Sequence, residues 1–493
     1  MVLKDERETS TFATIIQLEK LDRIQILQTP LVFSDKQPLQ EMLSPIDGIR
    51  KYGPYDTNTS DGRVLRKVRG IEFFVFYPNG EDKIREGLNT LMSMLEEGYV
   101  KRSENDVEFK GFEKEFRLKA FVPKVDDFIK YQPGNLQQKI EEIDFEEIRD
   151  RGNSPVAIVG GTTHRSVLKN RDQYLEAKRE FTNLEIPSQY AAFYEYETGG
   201  AGILYQIGRK NLPLGYSLWN FALNIYGKIG GLPWIIRQRL SKNTDEIIDL
   251  AIGIRFAKSK IKRGFNIGYA TIIDRFGRLI GVVSSPPFKA RLETTGMVLS
   301  PDIIKNIVNE ALSKAINDPR IKDILLEKES LNVALHRLSI FHPNEILGIN
   351  LAVNERSKLD SLRIKIGLIT ISDVPSILVF NKASESWNNE RGTAFMINNE
   401  SAILYTTRAY GEEMSYPVTV IAKNLGTEKC PFKTLEEVCN HVFSLTNLHW
   451  QTVVPGLVKL PITLEFAKAI AQLSSYEIKP KEDSWLWRTL WFI

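Results

Sequence analysis

The sequence predicts an α/β protein of two domains, and three observations lead to this prediction. The chain has 493 residues, of which 42% are hydrophobic, and one hydrophobic core rarely serves more than about 250–300 residues. Buried-strand patterns alternate with amphipathic-helix patterns between residues 68 and 186. After Pro233 the order changes, and three successive strand patterns precede the next long helix.

The first domain is expected to follow an arm, residues 1–60, whose turn-rich end DGIRKYGPYDTNTSDGR should stop regular structure. Beyond Val68 the strand patterns are GIEFFVFYP, FRLKAFVPK and SPVAIVGG. The helix patterns are EDKIREGLNTLMSMLEEG, which Gly98 should end, NLQQKIEEIDFEEIRDRG and RDQYLEAKREFTNLEI. This alternation predicts a parallel sheet flanked by helices.

The second domain is predicted to begin with the helix TDEIIDL and an antiparallel meander. The strands of the meander are LAIGIRFAK, FNIGYATIID and RLIGVVSS, and the turn RFGR joins the last two. Helices and strands then alternate as PDIIKNIVNEALSKAIND, LNVALHRLSI, PNEILGINLAVNERSKLD and RIKIGLITIS, and the late helices are TLEEVCNHVFSL and TLEFAKAIAQL. This order predicts a ribonuclease H-like fold, although the pattern alone leaves other α/β arrangements open.

Charge is spread unevenly along the chain. A net charge of +3 is too small to attract nucleic acid to the whole surface, so such a function needs locally concentrated charge. Between Tyr205 and Arg263, eleven Lys and Arg residues stand against three acidic residues. This stretch indicates either a solvated face or a stripe that faces phosphates.

Cysteine and histidine usage argues against several other kinds of site. Cys430 and Cys439 fit neither a zinc site nor a disulfide framework, which favours a reducing cytoplasm. The histidines form no metal-ligand pattern. The N-terminus lacks an apolar leader, and no segment reaches the roughly 18 apolar residues of a membrane span, so we expect a soluble protein.

Polar residues with helical spacing form the most informative motif. In SLWNFALNIYGKIGGLPW, Asn220, Asn224 and Lys228 recur every fourth residue and so share one helix face. Tyr174 and Lys178 are also one turn apart, and Gln189 follows in IPSQY. Directed donors with compact positive charge suit a phosphate monoester, and a tyrosine ring suits a base. Each residue alone has an ordinary interpretation, such as a solvated charge or a packing residue.

The order Tyr174, Lys178, Gln189 and Lys228, followed by GGLPW, resembles the 5′-phosphate pocket of the MID domain in Argonaute and PIWI proteins. The resemblance implies that Tyr174 stacks on the first base of a guide strand and that the other three residues bind its phosphate. It also implies a divalent cation, such as Mg²⁺, held by Asn224 and the terminal carboxylate of Ile493. Asn220 would contact the guide backbone.

The resemblance extends over nearly the whole chain. DGIRKYGPYD resembles the opening segment of many prokaryotic PIWI chains, and LHWQTVVPGLVKLPITLEFAKAIA resembles the closing motif of the family. It implies a Rossmann-like MID domain over residues 61–240, a ribonuclease H-like PIWI domain over residues 241–493 and no room for a PAZ domain. The chain thus resembles a short prokaryotic Argonaute, of archaeal type. Its apolar tail WLWRTLWFI suits a buried C-terminus rather than a frayed end or a partner-binding patch.

The catalytic carboxylates of the family are missing at three positions. Ribonuclease H chemistry uses carboxylates to hold two divalent ions. Where the family has these ligands, this chain has Arg255 in IGIR, Leu338 in LHRLS and Lys468 in LEFAK. A guanidinium repels cations, so the resemblance implies an inactive nuclease. Arg255 and Arg337 would then contact target phosphates or form ordinary salt bridges.

These observations lead to the hypothesis of a guide-dependent binding protein that does not cut. A 5′-phosphorylated guide, RNA favoured over DNA, would pair with a complementary target, DNA favoured over RNA. Short members of the family usually act with a co-encoded effector, soluble or membrane-associated, in defence against viruses or plasmids. The alternatives are an active nuclease with other ligands, such as Asp249 or Asp274, and an interaction module with a vestigial pocket.

Overall fold

A computed structural model describes most of the chain. The described residues are 22–34, 40–56, 68–162, 168–194, 204–205, 213–236, 248–258, 263–289, 291–293, 296–328, 330–375, 377–380, 388–408 and 415–493. Both helices and strands are prominent, which confirms the predicted α/β class.

The first large sheet is parallel apart from one edge strand. Its strands are β4 (Gly70–Pro78), β5 (Lys119–Phe121), β6 (Ile129–Tyr131), β7 (Asn153–Thr162), β8 (Ser188–Tyr194) and β9 (Leu204–Tyr205). They lie in the order β5-β4-β7-β8-β9, with β6 also paired to β4, and only β8 and β9 pair antiparallel. Successive residues of β7 point to opposite faces of this sheet. Ile158 packs into one hydrophobic cluster and Val159 into another, so both faces of the sheet are covered.

The helices around this sheet agree with the predictions, apart from one predicted helix that is divided and one short helix, Phe112–Phe116, that was not predicted. They are α2 (Asp82–Glu97), α3 (Phe112–Phe116), α4 (Leu136–Glu141), α5 (Phe145–Asp150), α6 (Leu168–Asn183) and α7 (Leu214–Lys228). The single acidic helix expected in NLQQKIEEIDFEEIRDRG is two helices, because the Asp144 carboxylate accepts hydrogen bonds from the main-chain N–H groups of Glu146 and Glu147 and starts a new helix.

The second large sheet has nine strands. In chain order they are β1 (Asp22–Gln25), β11 (Leu250–Lys258), β12 (Asn266–Asp274), β13 (Leu279–Ser284), β16 (Ser330–Arg337), β17 (Arg363–Ser372), β18 (Thr393–Asn398), β19 (Ser401–Tyr405) and β20 (Pro417–Ala422). Their order in the sheet is β1-β18-β19-β20-β17-β16-β11-β12-β13. Strands β11, β16 and β17 are mutually parallel, and β11, β12 and β13 form the predicted antiparallel meander.

In the described part of the chain, five helices accompany the second sheet. They are α8 (Pro301–Asn317), α9 (Pro319–Glu327), α10 (Pro343–Leu359), α11 (Leu435–Thr446) and α12 (Ile462–Ser474). Gly253 of β11 lies against the main chain of Thr463, so the first turn of α12 sits directly on that strand. The predicted helix TDEIIDL lies mostly outside the described residues, and its last residue, Leu250, begins β11 instead.

The arm is more regular than the sequence suggested. Helix α1 (Pro45–Tyr52) covers the first six residues of the segment expected to be irregular, because the Ser44 side chain caps its first turn. Strands β2 (Leu31–Phe33) and β3 (Gln40–Met42) form a small sheet with β10 (Ile235–Ile236), and β14 (Arg291–Glu293) pairs with β15 (Gly296–Val298).

One hydrophobic cluster joins the two large sheets. It includes Trp219 of α7, Tyr269 of β12 and Phe466 of α12, together with Trp491 and Phe492 of the last residues. Trp491 and Phe492 are each only 3% exposed, which confirms the expected buried tail. Among the described residues, no helix is long and apolar enough to cross a membrane.

Candidate nucleic-acid interface

Helix α7 carries three of the predicted pocket residues and is buried on every side. Asn220, Asn224 and Lys228 are 5%, 6% and 0% exposed. The helix ends at Lys228, and Gly230 follows with a φ of 91°, a left-handed conformation that favours glycine. A Cβ at Gly227 would lie 2.7 Å from the Leu490 side chain, so the absence of a side chain lets the C-terminal segment approach the end of this helix.

Lys178 and Lys228 bring four chain segments together. The ammonium of Lys178, on α6, donates hydrogen bonds to main-chain oxygens of Ser188 at 3.2 Å, Trp491 at 3.0 Å and Ile493 at 2.8 Å. The ammonium of Lys228 donates to the same Ser188 oxygen at 2.7 Å and to the side-chain oxygen of Gln189. The structure therefore gathers Lys178, Gln189, Lys228 and Ile493 around the start of β8.

No described carboxylate side chain pairs with either lysine. Lys178 is 2% exposed, and burial lowers its pKa to about 8. Burial lowers the pKa of Lys228 well below its ordinary value, and the charge of Lys178 lowers it further. Two buried ammonium groups side by side destabilise each other, so the pocket favours a ligand that brings negative charge.

Tyr174 lies one turn before Lys178 and is half-buried. Its ring meets the Tyr190 ring edge-on, with centroids 5.6 Å apart and an interplanar angle of 89°. Burial raises the pKa of Tyr174 to about 12, so its hydroxyl stays neutral. The contact with Tyr190 fixes the orientation of the Tyr174 ring, and the stacking of this ring on a base stays a prediction.

The two asparagines of α7 have different surroundings. The Asn220 side-chain oxygen accepts a hydrogen bond from the main-chain N–H of Val453 at 2.8 Å, so this residue fastens the segment before α12. The Asn224 side-chain oxygen is buried and has no hydrogen-bond partner. An amide oxygen without a donor fits a cation or a water molecule. Among the described residues, no cluster of His, Cys, Asp or Glu forms a metal site.

The three positions at which the sequence resemblance implies missing carboxylates lie near one edge of the second sheet. Arg255, on β11, has a buried guanidinium nitrogen without a hydrogen-bond partner. Burial lowers its pKa, and the charges of Asp373 and Glu465 oppose that shift. Leu338 packs into a hydrophobic cluster just beyond β16. Lys468, on α12, lies 3.9 Å from Glu465 and remains 44% exposed.

Arg337 is not available to a ligand. It is 2% exposed and forms a buried ion pair with Glu345. A second guanidinium nitrogen donates to the Met297 carbonyl, and the guanidinium carbon lies 5.5 Å from the Phe256 ring centroid. The ordinary salt bridge, one of the two interpretations from the sequence, is therefore correct for Arg337.

Asp249 and Asp274, considered above as alternative metal ligands, have structural partners. Asp249 accepts hydrogen bonds from the Lys328 ammonium and the Asn332 main-chain N–H, both at 3.0 Å. Asp274 accepts from Arg278 Nε at 2.6 Å and closes the turn between β12 and β13. They lie at the opposite end of β11 from Arg255. Of the basic stretch between Tyr205 and Arg263, residues 206–212, 237–247 and 259–262 lie outside the described part.

Sequence reasoning missed the main-chain groups of the pocket. The carbonyl of Ser188 joins the two lysines, and the carbonyl of Trp491 adds an acceptor. No side-chain pattern encodes a carbonyl direction. Tyr190 was also missed, although its position directly after Gln189 in a strand next to Tyr174 was a usable signal.

Comparisons with known proteins give structural matches only. No protein-family model and no curated protein matches the sequence. The structure of Clostridium butyricum Argonaute bound to a guide DNA and a 19-mer target DNA matches with a TM-score of 0.60 and 17% identity, over 95% of this chain and 55% of that one. The Argonaute protein from Methanocaldococcus jannaschii matches with a TM-score of 0.59 and 15% identity, over 96% and 59%.

A third match, Aquifex aeolicus Argonaute, has a TM-score of 0.55 and 17% identity and covers 95% of this chain and 55% of that one. The chain thus spans between half and three-fifths of the length of these solved Argonautes. The predicted α/β architecture, with a Rossmann-like and a ribonuclease H-like part, is confirmed. The chain has the MID-PIWI fold of prokaryotic Argonaute proteins.

Proposed function

We propose that this chain captures the 5′-phosphorylated end of a short guide strand and recognises a complementary strand by base pairing, without cutting it. The observation that carries the proposal is the buried pair Lys178 and Lys228, which share a carbonyl acceptor and pair with no described carboxylate side chain, although Lys178 also donates to the terminal oxygen of Ile493. A phosphate monoester carries nearly two negative charges and several acceptors. It matches both the charge and the donors of this pocket.

The remaining parts of the pocket have complementary roles. Gln189 orients the Lys228 ammonium, and Tyr174 stacks on the first base. Asn224, whose buried side-chain oxygen has no partner, would hold a divalent cation such as Mg²⁺ with the carboxylate of Ile493. Such a cation would neutralise phosphate charge and have no catalytic role. Asn220 acts indirectly, because its side-chain oxygen accepts a hydrogen bond from the main-chain N–H of Val453 and so fixes the main chain there.

The test is the affinity for oligonucleotides that differ only at the 5′ end. The wild type is expected to prefer a 5′-phosphate to a 5′-hydroxyl, and Lys178→Met with Lys228→Met should abolish the preference. Each lost charged hydrogen bond costs about 1.5–3 kcal/mol, or about tenfold or more in affinity. Lys139→Met, which removes an exposed lysine of the same sheet region, is the control. Equal wild-type affinity for both ends would contradict the proposal.

The absence of cleavage is part of the proposal and has its own assay. Arg255, Leu338 and Lys468 offer no carboxylate where ribonuclease H chemistry needs metal ions. Guide, complementary target and Mg²⁺ or Mn²⁺ should therefore give no discrete product. Glu293, in ARLETTG, is the position that the resemblance matches to the mobile glutamate of active family members. A discrete cut that Glu293→Ala abolishes would instead establish an active nuclease.

A binding protein that does not cut needs another protein to act on the recognised target. We propose a co-encoded effector, either in solution or at a membrane, in cytoplasmic defence against viruses or plasmids. RNA is favoured as the guide and DNA as the target. Sequencing the nucleic acid that co-purifies with the protein identifies both strands, and co-purification with the neighbouring gene product tests the effector. A protein that carries only long, unphosphorylated nucleic acid would contradict guide capture.

A further inference from the structure

One face of helix α10 is apolar at its centre and faces solvent. Leu347 and Leu351 of this face are 52% and 44% exposed. The opposite face already has its packing partner, because Ile349 and Ala352 are fully buried in the same hydrophobic cluster as Ile304 of α8. The two leucines are therefore apolar surface beyond what the fold of the chain uses.

The exposed residues of this face recur at alternating intervals of three and four. This spacing is that of the a and d positions of a coiled coil, at which two helices meet along a seam. Leucines at successive a and d positions indicate a surface that packs against another helix. We call the five exposed residues the α10 seam, and they are Asn344, Leu347, Leu351, Asn354 and Lys358.

The order of residue types along the seam is symmetric about Ile349. Leu347 and Leu351 lie two residues before and after it, and Asn344 and Asn354 lie five residues before and after it. Two antiparallel copies of α10, related by a two-fold axis at the level of Ile349, would place leucine opposite leucine and asparagine opposite asparagine. A two-fold interface requires such self-complementarity, because the same patch supplies both sides. A helix of an unrelated protein would not require it.

The charges on and beside the seam also favour a second copy. The seam carries one charge, the ammonium of Lys358, at its C-terminal end. In an antiparallel pair the two Lys358 side chains lie at opposite ends, each near Ile340 of the other copy, which is 46% exposed and suits the apolar lysine stem. On the flank of the helix, the Glu355 carboxylate pairs with the Lys305 ammonium at 2.7 Å. Like charges therefore do not face each other across the pair.

The two asparagines of the seam set the register of such a pair. A side-chain amide has both donors and an acceptor, so Asn344 of one copy can bond to Asn354 of the other. Polar residues at seam positions specify register and orientation at a cost in stability. A shift by one helical turn would place the amides against leucines and lose these bonds.

The length of the seam sets the strength of the contact. From Asn344 to Lys358 it has 15 residues, or about 22 Å at 1.5 Å per residue. Stable dimers bury about 1,200 Å² or more, and one short helix pair provides less. The contact is therefore weak and depends on protein concentration.

We propose that helix α10 is a self-association surface, along which two copies of this chain pair antiparallel as a weak dimer. The inference is independent of guide capture, because none of the seam residues belongs to the pocket of Lys178 and Lys228. A helix of another protein is the competing occupant, and the experiment separates the two.

The test uses two charged variants that should repel themselves and attract each other. One combines Leu347→Glu with Leu351→Glu, and the other combines Leu347→Lys with Leu351→Lys. Each antiparallel homodimer would place like charges opposite each other, whereas a mixed pair places Glu opposite Lys. Leu326→Glu, at an 86% exposed leucine of α9 outside the seam, is the matched control. Sedimentation equilibrium over a series of concentrations measures the association.

The average mass of the wild type and of Leu326→Glu should rise with concentration from that of one chain toward that of two. Each charged variant should stay monomeric, because loss of each central leucine weakens association about tenfold or more. An equimolar mixture of the two charged variants should form a 1:1 heterodimer that high salt weakens. Free energies of unfolding close to that of the wild type would show that all variants are folded.

Three results would overturn the proposal. The first is a wild type that stays monomeric up to its solubility limit. The second is charged variants that associate as the wild type does, which would assign the dimer to another surface. The third is a mixture of the charged variants that stays monomeric. If the wild type is monomeric and the charged variants lose a co-purifying neighbouring gene product, the seam belongs to that protein instead.

Discussion

The ammonium groups of Lys178 and Lys228 donate to one and the same acceptor, the carbonyl oxygen of Ser188. Two donors on one oxygen bring two positive charges together in a site that excludes water. The arrangement is unfavourable without an anion, because each charge loses hydration and repels the other. The relationship therefore predicts how the pocket responds to pH, to substitution and to metal ions.

Affinity for a 5′-phosphorylated guide should fall as the pH rises from about 7 to about 9. The pKa of Lys178 is about 8 in the free protein, and a bound phosphate raises it, so binding takes up a proton above that pH. The expected loss is about tenfold, whereas a 5′-hydroxyl guide should lose little. Fluorescence anisotropy at several pH values measures both, and parallel curves for the two guides would contradict the prediction.

The Lys178 ammonium also makes the stability of the free protein depend on pH, in the direction opposite to its effect on guide affinity. Its pKa is lower in the folded protein than in the unfolded chain, so the folded state binds fewer protons between pH 8 and about 10. This group's contribution to the free energy of unfolding of the free protein should therefore increase as the pH rises through that window. Lys178→Met should remove this pH-dependent contribution in urea titrations, and an unchanged pH dependence in the variant would argue against it.

Asn224 and Asn220 form a matched pair on helix α7. Asn224→Leu removes a buried oxygen that has no partner, so the free energy of unfolding should rise by about 1–2 kcal/mol. Asn220→Leu breaks the bond to Val453 and should lower it by a similar amount. Urea titrations measure both changes.

Metal dependence separates these two residues further. If Asn224 holds a divalent cation beside the phosphate, guide affinity should be lower in EDTA than in Mg²⁺, and Asn224→Leu should remove that difference. In Asn220→Leu, the difference in guide affinity between Mg²⁺ and EDTA should persist. An undiminished Mg²⁺ effect in Asn224→Leu would exclude this residue as a ligand.

Most of the fold could be predicted from local patterns, and the exceptions have physical causes. Strand β4 and helices α2 and α8 agree with their patterns, because apolar periodicity and a cap or glycine define each of them. The acidic helix divides at Asp144 because one carboxylate cap competes with helix continuation. Helix α1 was missed because Gly48 breaks its pattern, although it fits tightly against Phe33.

The site was predictable as a set of residue types but not as a geometry. Helical spacing placed Asn220, Asn224 and Lys228 on one face, yet every face of α7 is buried, so spacing did not reveal which side chain meets which partner. Arg255 and Arg337 looked alike in the sequence. Only packing shows that Arg337 has the buried carboxylate of Glu345, whereas Arg255 keeps a nitrogen without a hydrogen-bond partner.

Gly253, within the IGIR sequence, should tolerate no side chain. An added Cβ would overlap the main chain of Thr463, which cannot move without displacing α12. Overpacking of this kind costs about 1–3 kcal/mol, so Gly253→Ala should lower the free energy of unfolding by that amount. Gly281→Ala, in β13 with open space around the added atom, is the control. Equal unfolding free energies for the two variants would show that α12 adjusts freely.

The buried ion pair of Arg337 and Glu345 should stabilise the fold and contribute nothing to nucleic-acid binding. Glu345→Ala leaves a buried guanidinium unpaired and frees the N–H of Leu299, which Glu345 accepts at 2.9 Å. The expected loss is about 3–5 kcal/mol. Arg337→Met combined with Glu345→Gln keeps an acceptor for that N–H and removes both charges, so it should recover most of the loss. Target affinity and its salt dependence should match the wild type in this double variant, because Arg337 is only 2% exposed. A lower salt slope would instead show that Arg337 reaches a phosphate when the target binds.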